Sequence, residues 1–278
     1  MDNPVEHDDG ATPYRRRSDD DRLRDDLAHA LACGQLVLNY QPRVCLATHR
    51  IVAAEALARW PHRRRGMVPP VQFITLAERT GQIVKLGSWA LRTACLEAMS
   101  WPNDVDVSVN ASSAQLVNDV LLHQVSAALE ESELPPERLE LELTEAVLVN
   151  ADVATLLTLS AIRDLGVGLA LDDFGTGYAS LSSLKRLPIT CLKLDRSLLR
   201  GILRHKEDTA IIRSVVAIGK ALDLEIVAEG VDDEAQSAFL AELGCHQAQS
   251  FFFGRPVSAE RFRANLGIAE AAGPLAAS

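Results

Sequence analysis

Seven side-chain sets along this chain could bind a cation or a phosphate, and each falls where a strand pattern ends: Glu55; Asn110; Glu142 with Glu145; Asp172 with Asp173; Lys193 with Asp195; Glu229; and Gln249. From Asn110 onward the main positions are 32, 30, 21, 36 and 20 residues apart, each about one strand plus one helix. Crowded carboxylates raise one another's pKa unless cations sit among them. A donor set made of oxygens favours Mg²⁺ or Mn²⁺ over Zn²⁺, which prefers His and Cys. Two such ions about 4 Å apart suit in-line phosphoryl displacement, so the chemistry these residues could do is phosphodiester hydrolysis.

The elements that must position them follow from hydrophobic period and breakers. Leu23, Leu27 and Leu31 have helical spacing from Asp21, and Gly34 stops that helix. Strands are expected at Leu36 to Tyr40 and Ile51 to Ala58, joined by too few residues for a crossover, so this pair is antiparallel. A loop holding His62, Arg63, Arg64, Arg65, Pro69 and Pro70 leads to helices at Val71 to Thr80 and Leu86 to Ser100. Six further strands are expected at Val105–Asn110, Leu139–Leu143, Gly168–Asp172, Ile189–Leu194, Glu225–Glu229 and Ala248–Phe253. Helices near 114–131, 152–165, 180–186, 207–222, 233–243 and 258–266 alternate with them. Alternation of this kind predicts a mostly parallel sheet with right-handed crossovers, and eight strands predict closure into a modified TIM-type (β/α)8 barrel with one antiparallel strand. The strand ends then converge at the barrel's C-terminal mouth.

Composition bounds the function. The chain has 278 residues, 47% hydrophobic and 24% charged, as in an ordinary soluble globular protein of one large domain. A net charge of −10 is the wrong sign for general adhesion to DNA or an anionic membrane, so neither is an expected partner. The most apolar stretch, Ile211 to Ala228, is interrupted by Arg213, Lys220, Asp223 and Glu225, which excludes a lipid-spanning run. Met1 to Asp26 carries nine acids and five arginines and no apolar signal core, so a cytoplasmic protein is expected. The five cysteines contain no C-x-x-C pair and read as reduced core thiols; Trp60, Trp89 and Trp101 read as core or loop anchors. The organisation expected is a mobile charged tail at 1–20, one domain at 21–268 and a C-terminal tail at 269–278.

Read together, Glu55-Ala56-Leu57, Glu142-Leu143-Thr144-Glu145, Asp172-Asp173-Phe174-Gly175-Thr176-Gly177, Lys193-Leu194-Asp195 and Val227-Ala228-Glu229-Gly230-Val231 resemble the EAL domain family, from about Leu27 to Pro256. The resemblance implies a cyclic di-GMP phosphodiesterase that uses two Mg²⁺ or Mn²⁺ ions and yields the linear dinucleotide pGpG. Carried over by position, it implies that Glu55, Asn110, Glu142 and Asp172 hold one metal. By the same resemblance Asp172 would bridge to a second, held by Asp173 and by Glu229 directly or through water. It further implies that Lys193 assists the attacking water, that Gln249 orders waters around the metals, and that Glu229 is alternatively the general base. Glu145 would hold the loop from Phe174 to Ser180, which also supports a homodimer contact. Gln41 and Arg59 would contact guanine and phosphate, with Asp195 beside them as a further substrate contact. Two positions depart from the family pattern, Ser250 in place of Gly and Asp232 in place of Glu. Ser250 could restrict the backbone, and a reduced rate is the expected consequence. The alternative is a weak or silent module that binds cyclic di-GMP without hydrolysing it. No regulatory protein partner is written in the sequence.

Overall fold

The computed structural model describes residues 19–145, 147, 151–177 and 184–268. The expected tails lie outside these residues, except Asp19 and Asp20, which open the first helix, and Ala179 and Ser180 lie outside them too. Helix α1 (Asp19–Ala32) precedes strands β1 (Val37–Cys45), β2 (Ile51–His62) and β3 (Gly66–Val68), then α2 (Pro70–Thr80) and α3 (Ile83–Ala98). After them come β4 (Asp106–Ala111), α4 (Val120–Ser132), β5 (Leu139–Thr144), α5 (Val153–Asp164), β6 (Gly168–Phe174) and β7 (Cys191–Leu194). The short α6 (Arg196–Leu199), α7 (Lys206–Ala221), β8 (Glu225–Glu229), α8 (Glu234–Leu243), β9 (Gln247–Gln249), β10 (Val257–Ser258) and α9 (Ala259–Asn265) complete the described chain.

The sheet runs β1-β9-β8-β7-β6-β5-β4-β2 and closes through a β1–β2 pairing, giving an eight-stranded barrel. Strand β1 is antiparallel to both neighbours and the other barrel pairs are parallel. The antiparallel exception arises where the short Leu46–Arg50 turn leaves no room for a crossover helix. Register decides which side chains face inward. Gln41 pairs with Glu55, Asn110 with Glu142, and Glu229 with Gln249. Directly opposed residues lie on one face of a sheet, so these pairings send the mouth residues inward together.

The helices wrap the outside because their apolar residues recur every three or four positions. In α3 the buried set is Ile83, Leu86, Gly87, Ala90, Leu91, Ala94, Cys95 and Ala98. A second core packs α1 through Leu23 and Leu27 against Trp60 and Phe73. Trp60 and Trp101 are fully or nearly buried and Trp89 packs at the core's edge, as anchors should.

Several boundaries differ from the sequence reading. The segment after Trp60 is a hairpin, with Trp60, Pro61 and His62 paired to Val68, Met67 and Gly66. His62 is buried there, accepting from the backbone N–H groups of Arg64 and Arg65 and contacting Asp26 at 3.1 Å. The helix expected at 114–131 starts late: Ser113–Gln115 is a single 3₁₀ turn closed by a Ser112 capping box, and Asn118 and Asp119 take left-handed backbone before α4. The helix expected at 180–186 falls mostly outside the described residues. Strand β9 ends at Gln249 rather than continuing to Phe253, because the chain turns at Ser250, whose carbonyl accepts the Gly254 N–H. Among the cysteines, Cys95, Cys191 and Cys245 are buried, but Cys33 is exposed and Cys45 partly so; all five are free. Cys33 lies just past α1, where the chain reaches the surface. Among the described residues no helix is long and apolar enough to cross a membrane.

Candidate active site

Lys193 occupies the centre of the mouth. It is 1% exposed, and its Nζ lies 2.7 Å from Glu229, 2.8 Å from Glu142, 3.3 Å from Asp172 and 3.9 Å from Glu55. A buried ammonium needs such neighbours. Burial alone would lower its pKa, but Glu142, Glu55, Glu229 and Asp172 together hold it well above the ordinary lysine value, so it stays charged. One ammonium facing four carboxylates still leaves a negative excess. At an effective dielectric of about 20, two like charges 4 Å apart repel by about 4 kcal/mol.

The carboxylates respond as that excess requires. Burial, with repulsion from Glu55, pushes Glu142 up to about 7 despite Lys193. Burial, opposed by Lys193 and assisted by Asp172 and Glu55, pushes Glu229 up to about 8. Asp172 is raised by burial and by Glu142, and Asp173 by burial and by Asp172. One Glu142 oxygen is within ion-pair distance of the Lys193 nitrogen, yet neither Glu142 oxygen nor that nitrogen has a hydrogen bond of good direction. The Gln249 Oε1 is likewise buried without a donor. The Glu142 and Gln249 oxygens are thus buried acceptors without a well-directed donor.

Two amides fix Glu55. Asn110 donates to one of its oxygens at 2.7 Å and Gln249 to the other at 2.5 Å. Across the mouth, one oxygen from each of Asp172, Asp173 and Glu229 lies within 4.8 Å of the others, a spacing that could hold a metal ion. Asp173 has a φ of 57°, an uncommon conformation for a residue other than glycine, and its N–H donates to the Asp172 carboxylate at 2.9 Å. The loop that follows depends on Gly175: at φ 107°, an added Cβ would lie 2.5 Å from the Leu198 side chain. Glu145 accepts from the Thr176 hydroxyl at 3.3 Å, which ties it to this loop as far as the loop is described.

Of the expected substrate contacts, Gln41 and Asp195 line the main cavity, about 660 Å³, with Glu55, Glu229 and Gln249. Asp195 also caps α6, accepting the Ser197 N–H at 2.8 Å. Arg59 is elsewhere, in an adjoining groove of about 330 Å³ that shares Glu55 with the main cavity and is also lined by Asn110. The structure thus brings Glu55, Asn110, Glu142, Asp172, Asp173, Lys193, Glu229 and Gln249 together and sets Arg59 beside them.

The sequence reading missed a second buried charge layer. Arg43 donates to Glu140 at 2.5 Å, both nearly inaccessible to solvent. The signal was present: Arg43 lies two residues past Gln41 and Glu140 two before Glu142, so strand alternation turns both inward.

A family model described as the EAL domain matches residues 24–256. The chain belongs to the EAL domain family. This EAL domain is 43% identical over 249 residues to the bifunctional diguanylate cyclase/cyclic di-GMP phosphodiesterase MucR of Pseudomonas aeruginosa, covering 88% of this chain and 36% of that protein. It is 46% identical over 245 residues to an uncharacterised protein, y4lL, of Sinorhizobium fredii, covering 88% of this chain and 30% of that one. The chain therefore spans about a third of the length of these curated relatives. Among solved structures, the PaMucR phosphodiesterase in complex with c-di-GMP superposes with a TM-score of 0.80 at 42% identity, covering 87% of this chain and 99% of that one.

Proposed function

We propose that this EAL domain hydrolyses cyclic di-GMP to linear pGpG in the bacterial cytoplasm, with two divalent cations, Mg²⁺ or Mn²⁺. The observation that carries the reading is the convergence of four carboxylates on one buried ammonium, with a fifth, Asp173, beside Asp172 and Glu229, which leaves four excess negative charges when all five are ionised. Two divalent ions offset that excess. Glu55, Asn110, Glu142 and Asp172 would hold one, and Asp172, Asp173 and Glu229 the other; the undonated oxygens of Glu142 fit this assignment. When bound, the ions would supply charge for the phosphoryl oxygens and make a water nucleophilic at neutral pH.

The chain's own groups do the rest. Glu55 keeps its orientation through Asn110 and Gln249. Lys193 stays protonated among its carboxylates and stabilises charge that develops on the phosphate. Where Glu229 does not hold the second ion, its carboxylate is the alternative group to take the proton that the attacking water gives up. The phosphorus gains that water's oxygen as one P–O bond to a ribose 3′-oxygen breaks; the 3′-oxygen leaves with the electron pair and takes up a proton from solvent to become the 3′-hydroxyl, which opens the ring. Glu145 steadies the Asp173 loop, and Gln41, Arg59 and Asp195 contact the nucleotide. The PaMucR complex with c-di-GMP supports this choice of ligand.

A homodimer formed through the face beside the 172–180 loop belongs to the same proposal; sedimentation showing a fully active monomer would remove it. Turnover of cyclic di-GMP by purified protein, with Mn²⁺ or with a chelator, tests the function. Linear dinucleotide formed only with metal is expected. Tight binding of intact ligand without product would make the domain a binding module instead.

A further inference from the structure

Phe251 and Phe252 are unusual surface residues. They are 61% and 47% exposed, yet both line the main cavity alongside Glu55, Glu229 and Gln249. Large apolar rings left open inside a concave, charged mouth need an occupant. They are also braced. The Arg255 guanidinium stands over the Phe251 ring, 4.5 Å from its centroid, and the Phe253 ring meets Phe252 edge-on at 5.0 Å.

The turn that carries these rings is held by Ser250, the residue that departs from the family's glycine. Its side-chain oxygen accepts the Phe252 N–H at 3.2 Å, a bond glycine cannot make. Its carbonyl accepts the Gly254 N–H at 3.1 Å, and the Gly254 carbonyl accepts from the Gln41 amide at 3.3 Å. Ser250 is 5% exposed and has no left-handed backbone, so it does not impose the restriction expected of it. The turn is thereby fixed to a residue of the mouth itself.

We infer that Phe251 and Phe252 form a stacking shelf for one guanine base of the substrate and that Ser250 is the positioning residue that sets the shelf. This inference rests on the function proposed above. Aromatic rings accept a base by its face, which adds binding without taking part in bond breaking. The shelf therefore acts on KM.

Steady-state kinetics with cyclic di-GMP and Mn²⁺ test it on Phe251→Ala, Phe252→Ala, Ser250→Gly and the wild type, with Mn²⁺ affinity measured on each. Each Phe→Ala change is expected to raise KM about tenfold while kcat stays within about twofold. Phe252→Trp restores KM. Ser250→Gly raises KM about threefold and Ser250→Thr restores it. An unchanged KM in Phe251→Ala/Phe252→Ala overturns the shelf, as does a joint loss of kcat and Mn²⁺ affinity, which would mark a structural turn. A wild type that neither binds nor hydrolyses cyclic di-GMP overturns the functional reading itself, and the shelf with it; an active wild type with indifferent variants overturns the shelf alone.

Discussion

Two charged layers face the barrel interior, meeting on β5 at its successive inward positions Glu140 and Glu142, and their charge balances differ. The deeper one is built on a pair, Arg43 meeting Glu140, with Asp106 beside it pushed up to about 6 by burial despite Arg43. The layer at the mouth sets Lys193 against Glu55, Glu142, Asp172 and Glu229. A matched pair asks for nothing from outside and serves the fold. An unmatched cluster holds strain that only added positive charge relieves, and that distinguishes a site from a brace.

Changing one residue in each layer gives the sharpest break in this comparison. Glu142→Gln should cost about 10³-fold or more in turnover while the melting temperature holds or rises, since a buried like charge has been removed. Arg43→Met should do the reverse to stability, costing about 3 to 5 kcal/mol because Glu140 is left buried and unpaired. Chemical denaturation would show the loss, and Arg43→Met/Glu140→Met should recover most of it because the apolar pair needs no partner.

The pH dependence sharpens the contrast. Glu142 and Glu229 hold protons in the folded metal-free protein up to about pH 7 and 8, above the ordinary carboxylate value. Between that value and about 8 the native state therefore binds more protons than the unfolded chain, and raising the pH favours unfolding. Lys193, with its pKa raised, is protonated in both states across this window and adds no slope. The melting temperature of chelated protein should fall from pH 5 to 8, and Mn²⁺ should stabilise more at pH 8 than at pH 6. Equal stabilisation at both would detach these carboxylates from metal binding. The smallest effect is expected from Asp232→Glu, which restores one methylene at the cavity rim and should raise the rate only a few-fold.

The barrel was legible because strand and helix periods alternate from Val105 onward, and because the Leu46–Arg50 turn is too short for a parallel crossover. The cluster was legible because its members sit at strand ends, where register brings them together: Asn110 beside Glu142, Glu229 beside Gln249. Other features depended on contacts between residues far apart in sequence. His62 reads as a loop residue until Asp26, 36 positions earlier, is seen against it. Arg43 and Glu140 look like strand polarity until closure of the barrel makes them partners 97 residues apart. Phe251 and Phe252 continue an apolar run that resembles a strand, and the turn shows only in contacts of Ser250, whose hydroxyl takes the Phe252 N–H and whose carbonyl takes the Gly254 N–H. Arg59 follows Glu55 closely in sequence, yet it faces the adjoining groove rather than the main cavity.

Calorimetric titration of Mn²⁺ into chelator-stripped protein tests the unmatched mouth most directly. Two saturable ions per chain, both weakened in Asp172→Asn and neither in Arg43→Met/Glu140→Met, is the predicted result. No saturable binding, or the same binding in Asp172→Asn as in the wild type, would contradict it.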